Sequence, residues 1–152
     1  MSRIYLKEIK TEDWHFLVKI RNEPEARKAS LNSRHFSKTG YQNYIRNQLN
    51  QNKKNRHWAV TLNNRIIGHV KIINQELGYI ITKKYRNKGL GTQVLALLLK
   101  EAKKLGYKKV FDVVKIDQPI SLWFAIKNSF VMIGIIGDAN SKPYAYHLSR
   151  KL

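Results

Sequence analysis

Lys84-Tyr85-Arg86-Asn87-Lys88-Gly89-Leu90-Gly91-Thr92 lies between a strand-like run and a long apolar run of helical spacing, and its reading decides the fold. Gly89 and Gly91 are expected to take positive φ and to leave no Cβ between the backbone and a ligand. Successive amides can then converge on an anion. A helix starting near Gly91 adds unpaired N–H groups and the positive end of its dipole. Arg86 and Lys88 place mobile charge beside it. The turn reads as a phosphate cradle, and the same residues also fit an ordinary Gly-rich strand-to-helix turn.

The flanks have the composition that a strand and a helix require. Glu76-Leu77-Gly78-Tyr79-Ile80-Ile81-Thr82 is rich in aromatic and β-branched residues, which predicts a strand. From Gln93 to Leu105, Val94, Leu95, Leu98, Leu99, Ala102 and Leu105 recur at spacings of three and four, with Lys100, Glu101, Lys103 and Lys104 between them. Gly106 is placed to end that helix. The run 109–116 reads as the next strand, so the order is strand, turn, helix, strand.

Spacing narrows the phosphate chemistry. A P-loop needs four residues between its glycines followed by Gly-Lys-Ser/Thr, and a dinucleotide fingerprint needs a third glycine where Val94 stands. Arg86-x-x-Gly89-x-Gly91 instead resembles the pyrophosphate loop of the GNAT superfamily of N-acetyltransferases. The resemblance implies that Arg86, Asn87, Lys88, Gly89, Leu90, Gly91 and Thr92 hold the pyrophosphate of acetyl-coenzyme A. It further implies that the backbone of Ile80, Ile81 and Thr82 pairs with the pantetheine arm.

A second segment carries the likeness further. Gln118 to Phe130 is similar to the family's Asn-x-x-Ser helix ending in Lys-x-Gly-Phe: Ser121, Lys127 and Phe130 match, and the first two join the implied coenzyme contacts. Gln118, or Asp117 with a one-residue insertion, stands where Asn is usual. Ser129 replaces Gly. Ala125 replaces the tyrosine that often protonates the departing thiolate, and Tyr85, Tyr144 and Tyr146 are the tyrosines left to consider. Read without the resemblance, this segment is an amphipathic helix whose Leu122, Phe124, Ile126 and Phe130 are core.

At 152 residues and 43% hydrophobic content, the chain fits one domain, 1–152. Its longest mainly apolar stretch, 94–99, is too short to cross a bilayer, and a cytoplasmic protein without membrane association is expected. With no cysteine, disulfides and thiolate chemistry are excluded. His15, His35, His57, His69 and His147 lack metal-ligand spacing, so no metal is implied.

Along the chain, residues 3–9 read as a first strand, Thr11-Glu12-Asp13-Trp14 as a helix start, and 37–52 as a second helix. Pro24 permits a turn or a first helical position. Strands at 56–62 and 65–73 are joined by Asn63-Asn64, a hairpin signal. A last strand pair, 131–136 and 144–152, flanks Gly137-Asp138. The order β-α-α-β-β-β-α-β-α-β-β resembles the GNAT layout over essentially the whole chain. The implied fold is an α/β (α+β) domain with a mixed, largely antiparallel sheet of about seven strands and about four helices.

Acetyl transfer to an amine needs a polarised thioester, a neutral nitrogen and a proton acceptor. Three groups are candidates for the base. Glu76 opens the strand before the loop; Asp112 interrupts an apolar strand, where a carboxylate is costly unless paired or functional; His69 titrates near neutrality without any shift. Each also has a structural reading, as a solvated strand end, a surface ion pair and a core histidine.

Charge bears on the acceptor. Twenty-nine Lys and Arg against ten acids give a net charge of +19, which favours anionic partners and disfavours polyamines or histone tails. Ile20-Arg21-Asn22-Glu23-Pro24-Glu25-Ala26-Arg27 resembles a segment of acetyltransferases that modify nucleotide-linked amino sugars, and of others acting on protein N-termini. That likeness implies acceptor contacts from Arg21, Asn22 and Arg27, although a helix end with surface ion pairs fits them too. The expected partner is a small-molecule amine and the expected state a monomer or homodimer. Competing readings are acetylation of protein N-termini or aminoacyl-tRNA, and a non-catalytic nucleic-acid-binding module built on dispersed basic and aromatic residues, for which no motif is present.

Overall fold

Two asparagine-led hairpins build one half of the sheet. In the computed structural model, which describes residues 3–152, strands β2 (Arg56–Leu62) and β3 (Arg65–Ile73) turn through Asn63 and Asn64, with φ of 50° and 66°. β3 and β4 (Glu76–Ile81) turn the same way through Asn74 and Gln75, at 50° and 71°. Positive φ at both central residues is the two-residue turn whose twist suits adjacent strands. The short β1 (Ile4–Lys7) pairs antiparallel with β2.

The other half is β5 (Lys109–Lys115), β6 (Val131–Gly137) and β7 (Pro143–Lys151), giving the order β1-β2-β3-β4-β5-β7-β6. All pairings are antiparallel except β4 with β5. That parallel contact is a single pair, Glu76 beside Phe111, sealed by the Phe111 amide donating to the Gln75 carbonyl at 3.1 Å. Beyond it the two strands part, leaving an opening in mid-sheet.

Helices cover both faces. On one lie α1 (Trp14–Arg21), α2 (Pro24–Ala29) and α3 (Lys38–Gln51), around a core of Leu17, Phe36, Tyr41, Ile45 and Ala59. On the other, α4 (Leu90–Lys104) and α5 (Pro119–Lys127) pack a larger core with Val60, Val70, Leu77, Val110 and Leu148. α4 ends as its sequence predicts: Gly106 takes φ 90°, its amide bonds the Lys103 carbonyl, and the Tyr107 amide bonds that of Ala102.

The seven-stranded mixed sheet agrees with the expected fold, and the described residues form five α-helices where about four were expected. The unforeseen one is α2, a six-residue helix with Pro24 in its first turn, too short to show a period. A second correction concerns Gly91, which lies within α4 and has no positive φ. Its missing Cβ serves packing instead, because a Cβ there would sit 3.2 Å from the Phe124 ring.

Candidate functional site

The opening between β4 and β5 and the loop at its far end form one continuous feature. The Thr82 amide bonds the Ile67 carbonyl at 2.8 Å, so alternation along β4 turns the backbone groups of Gly78, Ile80 and Thr82 towards β3. Those of Leu77, Tyr79 and Ile81 face the opening. Of the three expected backbone contacts, only Ile81 turns its amide that way, and the Ile81 carbonyl already accepts from Arg86 Nε at 2.7 Å.

At the loop, Asn87 and Gly89 take φ of 60° and 75° on either side of Lys88, and Gly89 gives α4 no side-chain cap. The first amides of α4, from Leu90, Gly91 and Thr92, therefore lack helical partners and point out of its N-terminus. Lys88 is exposed beside them. Arg86 is not mobile charge. Its Nη2 donates to Glu23 Oε1 at 3.2 Å, and Nη1 lies 3.7 Å from Glu25 Oε2.

Glu23, which sequence reasoning passed over, organises this corner. It accepts from the Lys83 amide at 3.0 Å, from the Thr82 hydroxyl and from Arg86, tying the α1–α2 junction to the end of β4. The scarcity of carboxylates, ten in a chain with 29 bases, was the available signal. On α5, Ser121 lies half-buried in the first turn, whereas Lys127 is exposed at the far end with Nζ 4.8 Å from the centre of the Trp123 ring. Ala125 is fully buried.

The three candidate bases are not brought together. Glu76 and His69 belong to the α1–α3 face of the sheet and Asp112 to the α4–α5 face, since residues opposite one another in the register share a face. Glu76 stands half-buried where β4 and β5 meet. Burial raises its pKa, while the nearby Lys71 and His147 side chains pull it back. Lys71 can lie across β4 because Gly78 has no side chain, as a Cβ there would come within 2.6 Å of the Lys71 Cε.

His69 is buried in a chain of side chains. Gln48 Oε1 can only accept, so His57 carries its proton on Nε2 and donates to it at 2.9 Å. His57 Nδ1 then accepts from His69 Nε2 at 3.0 Å, and His69 Nδ1 accepts from the Tyr41 hydroxyl at 2.8 Å. Every ring nitrogen is used. Burial pulls the two imidazoles down to about 3 for His69 and about 2 for His57.

Asp112 accepts from the Tyr79 hydroxyl at 2.9 Å, a bond that bridges β4 and β5 beneath the opening. Burial pushes the Asp112 carboxyl up to about 7 against the pull of that hydrogen bond. Tyr79, itself raised well above the usual phenol range by burial, packs on Phe124 with ring centres 5.7 Å apart. Tyr79 was not among the tyrosines weighed from the sequence. Its place in a strand of apolar character hid it.

The residues around Arg21 hold the α1–α2 junction to the 30–36 loop. Arg21 donates through Nη2 to the Asn32 carbonyl and stacks 5.2 Å from the Phe36 ring centre, while its buried Nη1 has no partner. Asn22 bonds both the amide and the carbonyl of Phe36, at 2.9 and 2.8 Å. Arg27 Nε donates to the Ser33 carbonyl at 3.0 Å. Burial lowers the Arg21 pKa, and the positive charge of Arg21 lowers that of the neighbouring Lys71 after burial has done the larger part.

Free strand-edge amides leading to a helix N-terminus suit a ligand that is peptide-like at one end and phosphorylated at the other. Acetyl-coenzyme A has that form. Among the described residues no helix is long and apolar enough to cross a membrane, and no cluster of three metal-ligating side chains occurs.

The chain matches the family model of the acetyltransferase (GNAT) domain over residues 3–131. Among curated proteins no sequence matches it significantly. Spermidine N-acetyltransferase from Vibrio cholerae, solved with coenzyme A and spermine, superposes with a TM-score of 0.81 at 16% identity, over 97% of this chain and 95% of that one. A ribosomal alpha-N-protein acetyltransferase in complex with coenzyme A gives 0.80 at 15%, over 98% and 94%. A GNAT acetyltransferase from Bacillus anthracis gives 0.76 at 18%, over 98% and 95%. Likeness at these identities is one of fold, whereas the family match runs from β1 through the loop and α5 to the start of β6. The chain thus belongs to the GNAT acetyltransferase family and is an N-acetyltransferase with acetyl-coenzyme A as its donor.

Proposed function

We propose that the protein acetylates the primary amine of a small anionic acceptor, with a nucleotide-linked amino sugar as the leading class. The observation that carries this reading is a pair of cations on the α1–α3 side of β4, buried Arg21 and half-buried Lys71. Arg21 has an unpartnered Nη1, and Lys71 lies along β4 with Glu76 as the carboxylate that offsets its charge. Unpaired buried charge is costly, and an acceptor carrying phosphate or carboxylate would offset it. A polyamine would meet repulsion at the same place. The enzymes of similar fold act on substrates as different as spermidine and a ribosomal protein, so fold alone does not choose.

In this reading the pantetheine arm lies along β4 as an added strand, using the amides of Tyr79 and Ile81, and its thioester sits near the junction of β4 with β5. The pyrophosphate meets the amides of Gly89 to Thr92, with Lys88 beside it. Glu76 takes a proton from the acceptor ammonium, and the freed nitrogen attacks the thioester carbonyl. The departing sulfur needs a proton. Tyr79, whose hydroxyl is bonded to Asp112 beneath the opening, would have to release that hydrogen to the sulfur to stand in for the tyrosine absent at 125.

The test is an acceptor screen monitored by thiol release, covering nucleotide amino sugars, aminoacyl-tRNA, peptide N-termini and polyamines. Turnover of a nucleotide amino sugar is expected, and turnover of polyamines alone would sink the acceptor assignment. With the acceptor found, Glu76→Gln should lower kcat by about 10²–10⁴-fold, the usual worth of a positioned base, with little change in KM for acetyl-coenzyme A. Glu76 works when ionised, so the wild-type rate should rise with pH through its raised pKa. The variant should lose that acid limb; an unchanged profile would remove Glu76 from the mechanism.

A further inference from the structure

Glu23 holds two parts of the molecule at once. On the β4 side its Oε1 accepts from the Lys83 amide at 3.0 Å and from Arg86 Nη2 at 3.2 Å, and its Oε2 accepts from the Thr82 hydroxyl. These attachments fall on a single 3-10 turn, Lys83–Tyr85, and the residues that flank it. On the helical side Glu23 starts α2, its carbonyl accepting from the Arg27 amide at 3.0 Å. Its neighbours Arg21 and Asn22 bond the backbone of Asn32 and Phe36, and Arg27 bonds that of Ser33. The side chain therefore grips the end of β4 while the backbone begins the wall that carries Arg21, Asn22 and Arg27.

Arg86 completes the link, because every nitrogen of its guanidinium is engaged. Nε donates to the Ile81 carbonyl at 2.7 Å, Nη2 to Glu23, and Nη1 lies 3.7 Å from Glu25 Oε2. A planar fork held at three points has one orientation. The pair is also sheltered, with the Arg86 side chain 27% exposed and that of Glu23 21%, so it is screened less than an ordinary surface ion pair. Asn87 and Gly89 follow directly with φ of 60° and 75°, and the strut thus sets where the loop leaves β4. Two of the ten carboxylates meet at this corner in a chain with 29 bases. Neither Glu23 nor Arg86 carries a step of the acetyl transfer itself.

We infer that Glu23 is a positioning residue that couples the two halves of the site: through Arg86 it anchors the loop, through α2 it anchors the wall, and a donor bound on the loop orders the wall. The inference rests on the reading of the 86–92 loop as the phosphate site of acetyl-coenzyme A. A ligand that rigidifies one end of a shared anchor lowers the entropy still to be lost at the other. Linkage makes the effect mutual, so an acceptor held by the wall tightens the donor by the same factor.

Hydrogen exchange on the full chain, with and without saturating acetyl-coenzyme A, tests this without an acceptor. In the wild type the donor should slow exchange over 82–92 and also over 22–36, the latter by about fivefold or more. In Glu23→Ala the effect at 82–92 should persist and the effect at 22–36 should vanish. Glu23→Gln keeps an oxygen for the Lys83 amide and loses the charge facing Arg86, so it should restore part of the effect. Arg86→Lys keeps the charge and loses the fork, and should break the link from the other end even if Glu23→Ala does not keep a native circular dichroism spectrum. Lys83→Ala leaves the backbone amide in place and should transmit as the wild type does. A role confined to holding the fold would speed exchange over 22–36 in Glu23→Ala equally with and without donor, leaving the donor's effect intact. That result, or a wild type whose donor protects 82–92 alone, would overturn the coupling and leave the donor site standing. A wild type protected in neither segment would overturn the donor reading and the coupling with it.

Discussion

Asp112 ties the stability of the protein to pH, and its sign can be worked out. Its carboxyl has a folded pKa of about 7 because burial disfavours the charge, against about 3.9 in an unfolded chain. The stability associated with the protonated form is complete below pH 4 and is lost as pH rises to about 7. His57 and His69 act oppositely. Held neutral by burial, they lose stability as pH falls below about 6.5, where the unfolded chain takes up their protons. Between pH 4.5 and 6 these three groups alone give a net rise of about 1.4 kcal/mol per pH unit. Asp112→Asn keeps an acceptor for the Tyr79 hydroxyl and removes the opposing contribution. The variant should match the wild type near pH 4, show about twice that slope, and gain on the order of 2–4 kcal/mol at pH 8 in urea denaturation. A wild type and variant with parallel pH curves would show that Asp112 is ionised in the folded protein.

At the scale of elements, the junction of β4, the loop and α4 depends on two glycines for different reasons. Gly89 takes φ 75° with open space where a Cβ would project, so Gly89→Ala introduces backbone strain of about 1 kcal/mol and no clash. Gly91→Val drives its side chain into Phe124, and Phe124→Ala should recover most of the resulting loss of stability. Both glycine variants should bind acetyl-coenzyme A at least tenfold more weakly by calorimetry. Unchanged affinity in both would remove the loop from the donor site. This junction also marks how far the sequence was legible. Strand, loop and helix could be read because Gly89, Gly106 and the 3.6-residue period are local signals. The Asn63-Asn64 hairpin was legible for the same reason, whereas Asn74-Gln75 was not, since glutamine is no marker of positive φ. The reason for Gly91 lies in Phe124, 33 residues away. The separation of Glu76 from Asp112 depends on which face each strand position takes, and the clamp at Glu23 joins residues 60 apart; both are products of tertiary packing.

At the scale of the whole molecule, the net charge of +19 and the proposed donor site predict two kinds of ligand binding that differ in their sensitivity to salt. The basic residues are spread along the chain, so the surface should retain polyanions such as heparin. That contact releases counterions and falls steeply with the logarithm of salt concentration. In the proposed donor site, binding of acetyl-coenzyme A would draw in addition on strand-edge amides of β4 and on the N-terminus of α4, where hydrogen bonds outlast the screening of distant charge. At a hundredfold excess over Kd the donor should stabilise the fold by about 2.7 kcal/mol, which for a domain of this size is a rise in Tm of roughly 5–10 °C. Between 50 and 300 mM KCl, heparin retention should collapse while the Tm shift keeps most of its size at fixed saturation. If the two decline together, the donor is held mainly by diffuse charge. The free amides of Tyr79 and Ile81 would then have no part in binding it, and the opening between β4 and β5 would need another occupant.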